Sequence, residues 1–92
     1  MNKVLPIGSV VRLKKLEKPV MICGFLQQSA AKPGLMVDYM GVPYPQGNVN
    51  FRLQVGFQME DIAEVLFEGY RTEEFRPIEM LLTLRQNVRE KL

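Results

Sequence analysis

Histidine is absent from the chain, and cysteine occurs once, at Cys23. Without histidine, no Ser-His-Asp or Cys-His nucleophile can be assembled within one chain. One cysteine and no imidazole leave no multi-ligand site for zinc or another soft metal. An internal disulfide is impossible, and a reduced cytoplasmic setting is the simplest expectation. Long apolar runs are missing as well. The longest uncharged one, Val20 to Ala31, is about a dozen residues and contains Gly24, Gln27, Gln28 and Ser29, whereas a membrane-spanning helix takes about 20. "MNKVLPIGSVV" has one lysine and no long apolar core, so it is not read as a secretory signal. No phosphate-binding glycine pattern is present. No cofactor, no metal and no enzymatic activity are expected.

What is there describes a small globular body. The 92 residues suit one domain, 1–92, and 47% of them are apolar, an ordinary globular share. The net charge of +2 hides an asymmetry. Residues 1–52 hold seven Lys or Arg against two acids, a net of +5; residues 53–92 hold five against eight, a net of −3. Mixed charge of this kind argues against a dedicated nucleic-acid binder, whose basic residues are concentrated.

The punctuation of the chain separates short strands from a terminal helix. In "IGSVVRLKK", Val11 and Leu13 alternate with Arg12 and Lys14. "VMICGFLQQ" is nearly continuously apolar, as a central strand is, and Gly24 inside it marks a bulge or bend. Cys23 reads as a buried small side chain. "LMVDYMGV" is a third strand, and Pro43 and Pro45 turn "VPYPQGN" into an edge or long turn. "NFRLQVGF" alternates most clearly of all, with Phe51, Leu53, Val55 and Phe57 on one side. A turn around Glu60–Ile62 leads into a fifth strand over about 63–70. From residue 71 to 92 the chain is rich in helix formers, with Thr72, Glu73 and Glu74 at the start and Pro77 in the first turn. Ile78, Leu81, Leu84, Val88 and Leu92 form one stripe; Leu81 and Leu84 are expected to pack inward, while Met80, Leu82 and Leu92 are candidate partner contacts. The fold class is therefore α+β: about five strands, 1–70, in a small antiparallel sheet or partly open Src-homology-3-like barrel, with a C-terminal helix, 71–92.

Three clusters invite a functional reading. Tyr39, Pro43, Tyr44 and Pro45 offer stiff, partly apolar surface to a protein partner, or else the tyrosines pack at the sheet edge while the prolines block edge-to-edge association. Arg12, Lys14, Lys15 and Lys18, with Phe25, Tyr39 and Phe51 for stacking, fit a single-strand binder or a solvated strand face. The acid pairs Glu60–Asp61 and Glu73–Glu74 read as solvated surface.

"LPIGSVVRLKK", "VMICGFLQ", "DYMGVPYPQGN" and "IAEVLFEGY" together resemble a small family of Gram-positive bacterial proteins known as a domain of unknown function. The resemblance covers most of residues 5–70. Its signature positions here are Leu5, Pro6, Gly8, Ser9, Asp38, Tyr39, Gly41, Pro43, Tyr44, Pro45, Gly47, Glu64, Gly69 and Tyr70. The chain departs from the pattern at Gln46 and in "FQME". Members are encoded beside type VII secretion genes and their LXG-type toxins. The resemblance implies a non-enzymatic adaptor or chaperone-like accessory of that system, cytoplasmic or secreted with a toxin complex. Its implied partner is the toxin's helical export domain or a small helical companion. A nucleic-acid-binding small barrel and a toxin immunity protein are the alternatives. Tyr70 and Glu74 also match the Tyr-x-x-x-Asp/Glu export signal of type VII substrates. Oligomeric state is left open.

Overall fold

A computed structural model describes residues 3–29 and 32–91. Five strands, β1 (Val10–Leu13), β2 (Val20–Gln28), β3 (Met36–Pro43), β4 (Val55–Phe57) and β5 (Ile62–Phe67), precede one helix, α1 (Arg76–Glu90). They form a single antiparallel sheet in the order β4-β3-β2-β1-β5. The chain meanders from β1 to β4 and then returns to lay β5 beside β1. With β4 and β5 as unpaired edges the sheet stays open, as the α+β expectation allowed.

Local chemistry explains most of these elements. Val11 and Leu13 of β1 point into the core and Arg12 points out, as period-2 alternation requires. The pairing of β2 with β3 slips between Ile22 and Gly24, where a bend was expected. The slip makes Cys23 the unpaired residue and turns it to the surface, which corrects its reading as buried. On β5 the register against β1 slips twice, so Leu66 and Ala63 have no partner across the ladder. Such irregularities twist an edge strand away from edge-to-edge association, and β4, at three residues, is too short to template it.

The segment with the clearest alternation is only partly strand. Phe51–Leu53 is a 3₁₀ turn, because the Asn50 carboxamide accepts the Arg52 N–H at 2.9 Å and starts a turn instead. A second 3₁₀ turn, Met59–Asp61, leads into β5. A third, Glu73–Phe75, leads into α1, and Pro77 occupies the first helical turn, where its missing N–H is harmless.

Tyr39 lies at the centre of the core, wholly buried. Its ring centroid is 5.3 Å from that of Phe57 and 6.0 Å from that of Phe25, and Phe25 in turn lies 5.5 Å from Phe75 at the head of α1. Its hydroxyl accepts the Leu5 N–H at 3.1 Å. One side chain thus joins the N-terminal segment, the sheet and the approach to α1. Burial pushes its phenol up to about 12. Behind β5 the chain passes so close to itself that a Cβ on Gly69 would lie 2.3 Å from the Ile7 carbonyl oxygen. The Gly69 N–H instead reaches the buried Ser9 hydroxyl at 3.0 Å.

Candidate docking surface

Asp38 is a carboxylate in the middle of β3 with no exposure to solvent. A buried charge needs partners, and every partner it has fixes one element. Its Oδ2 accepts the Met59 N–H at 2.9 Å, which holds the turn before β5. Its Oδ1 accepts Arg85 Nε at 3.0 Å. Arg89 grips both oxygens, Nη1 to Oδ1 at 3.2 Å and Nη2 to Oδ2 at 2.5 Å. Arg85 and Arg89 are four residues apart, so they lie on one face of α1. Arg89 also reaches Glu60 at 2.7–2.8 Å, and that contact, ahead of all other causes, holds the Glu60 carboxyl below its ordinary value. Gln58 completes the junction. Its side-chain oxygen accepts the Asp38 N–H at 2.9 Å, and its own backbone N–H is capped by Asp61.

This polar junction decides how α1 is rotated. With Arg85 and Arg89 aimed at Asp38, the residues that face the sheet are Phe75, Ile78, Leu82 and Gln86. Leu82 is fully buried. The expectation for the helix is therefore corrected at Leu81, Leu82 and Leu84. Leu82 is buried and open to no partner, while Leu81 and Leu84, which had been read as packing inward, stand in solvent with Val88 and Met80. Leu92 lies outside the described residues. Met80 is 66% exposed and Leu84 59%. Beside them, Leu35 and Met36 at the start of β3 are also exposed. Leu35, Met36, Leu84 and Val88 line an open cleft of about 430 Å³, with Gln58, Arg85 and Arg89 on its rim. At 3.6 residues per turn, Pro77, Leu81, Leu84, Val88 and Lys91 fall on one line with spacings of four and three. α1 thus carries two apolar faces, one used and one free.

The other sequence candidates are placed as follows. Tyr39 is in the core and cannot touch a partner. Pro43 is half-buried, while Tyr44 and Pro45 are exposed on the turn after β3, where the Gly47 N–H closes onto the Pro43 carbonyl at 2.7 Å. That turn runs into exposed Val49, Phe51 and Leu53, with the Arg52 guanidinium over the Phe51 ring. Tyr70 is 86% exposed and Glu74 sits in the turn before α1, so the export-like pair follows a strand rather than a helical hairpin. The basic group does not gain its aromatics. Arg12 is paired with Glu64, Lys14 and Lys15 border a separate shallow cleft, and Phe25 and Tyr39 pack into the core. Among the described residues no group of three or more His, Cys, Asp or Glu could hold a metal ion. Nor is any helix long and apolar enough to cross a membrane.

Most positions that carry the family resemblance now have structural duties. Leu5, Ser9, Asp38, Tyr39 and Gly69 form the bonds and close approaches above, and Gly8 and Gly47 adopt φ of +90° and +80°, which glycine alone tolerates freely. Tyr44, Pro45 and Tyr70 remain on the surface.

Residues 4–76 match the family model described as Domain of unknown function (DUF4176). The chain belongs to this family. No curated protein and no solved structure matches the chain. The family match ends at Arg76, the first residue of α1. The DUF4176 portion thus supplies Asp38, Gln58 and Glu60, while Arg85, Arg89 and the free apolar seam lie beyond it.

Proposed function

We propose that this DUF4176 protein is a non-enzymatic adaptor that docks a helix of a partner protein along the free seam of α1. The observation that carries the reading is the rotation of α1. A helix held by Asp38 with Met80, Leu81, Leu84 and Val88 outward keeps an apolar stripe in water at the spacing a second helix fills. The cleft beside Leu84 and Val88 gives that helix a pocket for one large apolar side chain. The resemblance noted in the sequence supplies the partner class, the helical export region of an LXG-type toxin of type VII secretion or one of its small helical companions. A cytoplasmic adaptor of this kind needs no catalytic group.

The test is co-purification of the tagged protein with the N-terminal helical region of a co-expressed LXG toxin. Capture that is lost in Leu84→Glu and retained in Tyr70→Ala supports the seam as the docking site. Capture of the toxic domain alone would make the protein an immunity factor instead. Binding to oligonucleotides that weakens steeply as salt rises would replace both readings with the basic-face alternative.

A further inference from the structure

Away from α1, the β2, β3 and β4 strands carry a cleft of their own. Gln27, Gln28, Arg52 and Gln54 border about 670 Å³ of space, with Met40 and Val55 in its lining. That size falls within the roughly 300–1,000 Å³ of pockets that hold small ligands. The cleft shares no lining residue with the one beside α1, and its use does not depend on the seam. We propose that it binds an extended acidic peptide segment of a protein partner, with carboxylates at Arg52 and toward Lys32 and apolar side chains between them against Met40 and Val55.

Charge selects an acidic occupant. From residue 20 to residue 57 the chain has one acid, Asp38, and two cations, Lys32 and Arg52. Asp38 is buried and committed to the arginines of α1. Lys32 and Arg52 make no ion pair among the described residues. The Arg52 guanidinium lies 5.8 Å from the centre of the Phe51 ring, and the Asn50 carboxamide holds its backbone N–H, so it is set in place before a ligand arrives. Lys32 belongs to the opposite border, across β3, where its N–H donates to the hydroxyl of the lining residue Ser29 at 3.2 Å. The lysines of the β1–β2 turn, by contrast, share their cleft with Glu17.

The carboxamides select a peptide. Those of Gln27 and Gln28 make no hydrogen bond among the described residues, and Gln54 donates to Asn48 at 3.2 Å, which leaves its oxygen to accept. Each carboxamide offers the donor and acceptor of a peptide group. Consecutive residues of a strand face opposite ways, yet Gln27 and Gln28 both reach this cleft. Leu26 before them holds φ +55°, a region that favours glycine, and strained backbone of this kind clusters at ligand sites. Two cations are too few for a nucleic-acid backbone, which calls for a concentrated basic surface.

Fluorescence anisotropy of a dye-labelled peptide EELLEE, blocked at both termini, tests this on the full chain. Saturable binding with Kd of roughly 0.1–1 mM is expected. The neutral peptide QQLLQQ should bind at least about tenfold more weakly, and Arg52→Gln should weaken EELLEE about tenfold, the effect of losing one charge-assisted contact. Arg52→Lys should recover part of that loss. Lys32→Gln and Gln28→Ala should each weaken binding several-fold. All these side chains are exposed, so melting temperatures should not move. Lys15→Gln and Leu84→Glu should bind the peptide as the parent does. Absence of binding at about 5 mM peptide overturns the proposal, as does equal affinity for the two peptides. So does binding that ignores Arg52→Gln or is lost in Lys15→Gln or Leu84→Glu, which would put the peptide elsewhere. Tighter binding of oligothymidylate through Arg52 would overturn it in favour of a nucleic-acid site.

Discussion

Replacing Asp38 by alanine tests the structural argument at its root. The carboxylate accepts one backbone N–H and three guanidinium N–H groups with no access to solvent. Its removal orphans the Met59 N–H, at a cost of about 1–3 kcal/mol. It also strips two arginines of a partner. Breaking a buried pair typically costs about 3–5 kcal/mol, but each guanidinium side chain keeps about a quarter of its surface in water. Arg85 retains the Met36 carbonyl and Arg89 retains Glu60, which discounts that term further. A net loss of about 3 kcal/mol is expected, a large part of the roughly 5–15 kcal/mol a domain commands. For a domain of this size that lowers the melting temperature by roughly 12–24 °C. Urea titration followed by circular dichroism measures it. A double-mutant cycle with Arg89→Ala should return a coupling of at least about 1.5 kcal/mol, since the two groups are in direct contact. A loss under about 1 kcal/mol with no coupling would refute the claim that Asp38 holds α1.

Three other outcomes follow from the same geometry. Gly69→Ala drives a methyl group into the Ile7 carbonyl and should cost about 3 kcal/mol or more in a thermal melt, whereas Gly34→Ala, whose Cβ meets nothing, should cost only the strain of its positive φ. The Tyr39 phenol is raised from 10.0 to about 12 by burial, so its neutral form belongs to the fold; stability is full below pH 10 and falls between pH 10 and 12, by about 2–3 kcal/mol in all. Tyr39→Phe should abolish that step in urea titrations run across this range. The rotation of α1 predicts opposite results at neighbouring leucines: Leu82→Ala should lose about 2–4 kcal/mol of stability, and Leu84→Ala less than about 0.5 kcal/mol.

The sheet was legible because short-range chemistry dictates it. Alternation in β1, the bend at Gly24, the turn before β5 and Pro77 in the first turn of α1 all depend on neighbours within a few residues. Phe51–Leu53 went the other way because one carboxamide, at Asn50, outweighed a strand pattern that alternation alone made convincing. Tyr39 was grouped with Pro43, Tyr44 and Pro45 as partner surface because it lies close to them in the chain, yet β3 is buried on both sides along most of its length. The orientation of α1 was misread for a different reason. α1 is apolar on two faces, and nothing within the helix says which one is to be used. The deciding contact joins residues 47 and 51 positions apart. The available signals were an aspartate inside an apolar strand and two arginines four residues apart on a helix.

That division of labour explains why a polar junction sits where apolar packing would be at least as stable. Replacing a buried ion pair by apolar side chains of similar volume is often neutral or stabilising. Here, however, α1 offers the sheet two apolar stripes, Phe75, Ile78 and Leu82 on one side and Leu81, Leu84 and Val88 on the other. Apolar attraction is non-directional and separates the two orientations poorly. Asp38 separates them sharply, because a turn of about 100°, one residue's step round the helix, would carry Arg85 and Arg89 away from it. The junction therefore specifies which face is left exposed. The triple variant Asp38→Leu, Arg85→Met, Arg89→Met removes the charges together and should melt within about 1–2 kcal/mol of the parent. Its partner capture should nonetheless fall, because α1 is then free to spend its seam on its own sheet. Solvent labelling of a cysteine placed at position 84, with Cys23 replaced by serine, should drop by a similar factor. Unchanged capture and unchanged labelling in a stable triple variant would show that apolar packing alone sets the rotation.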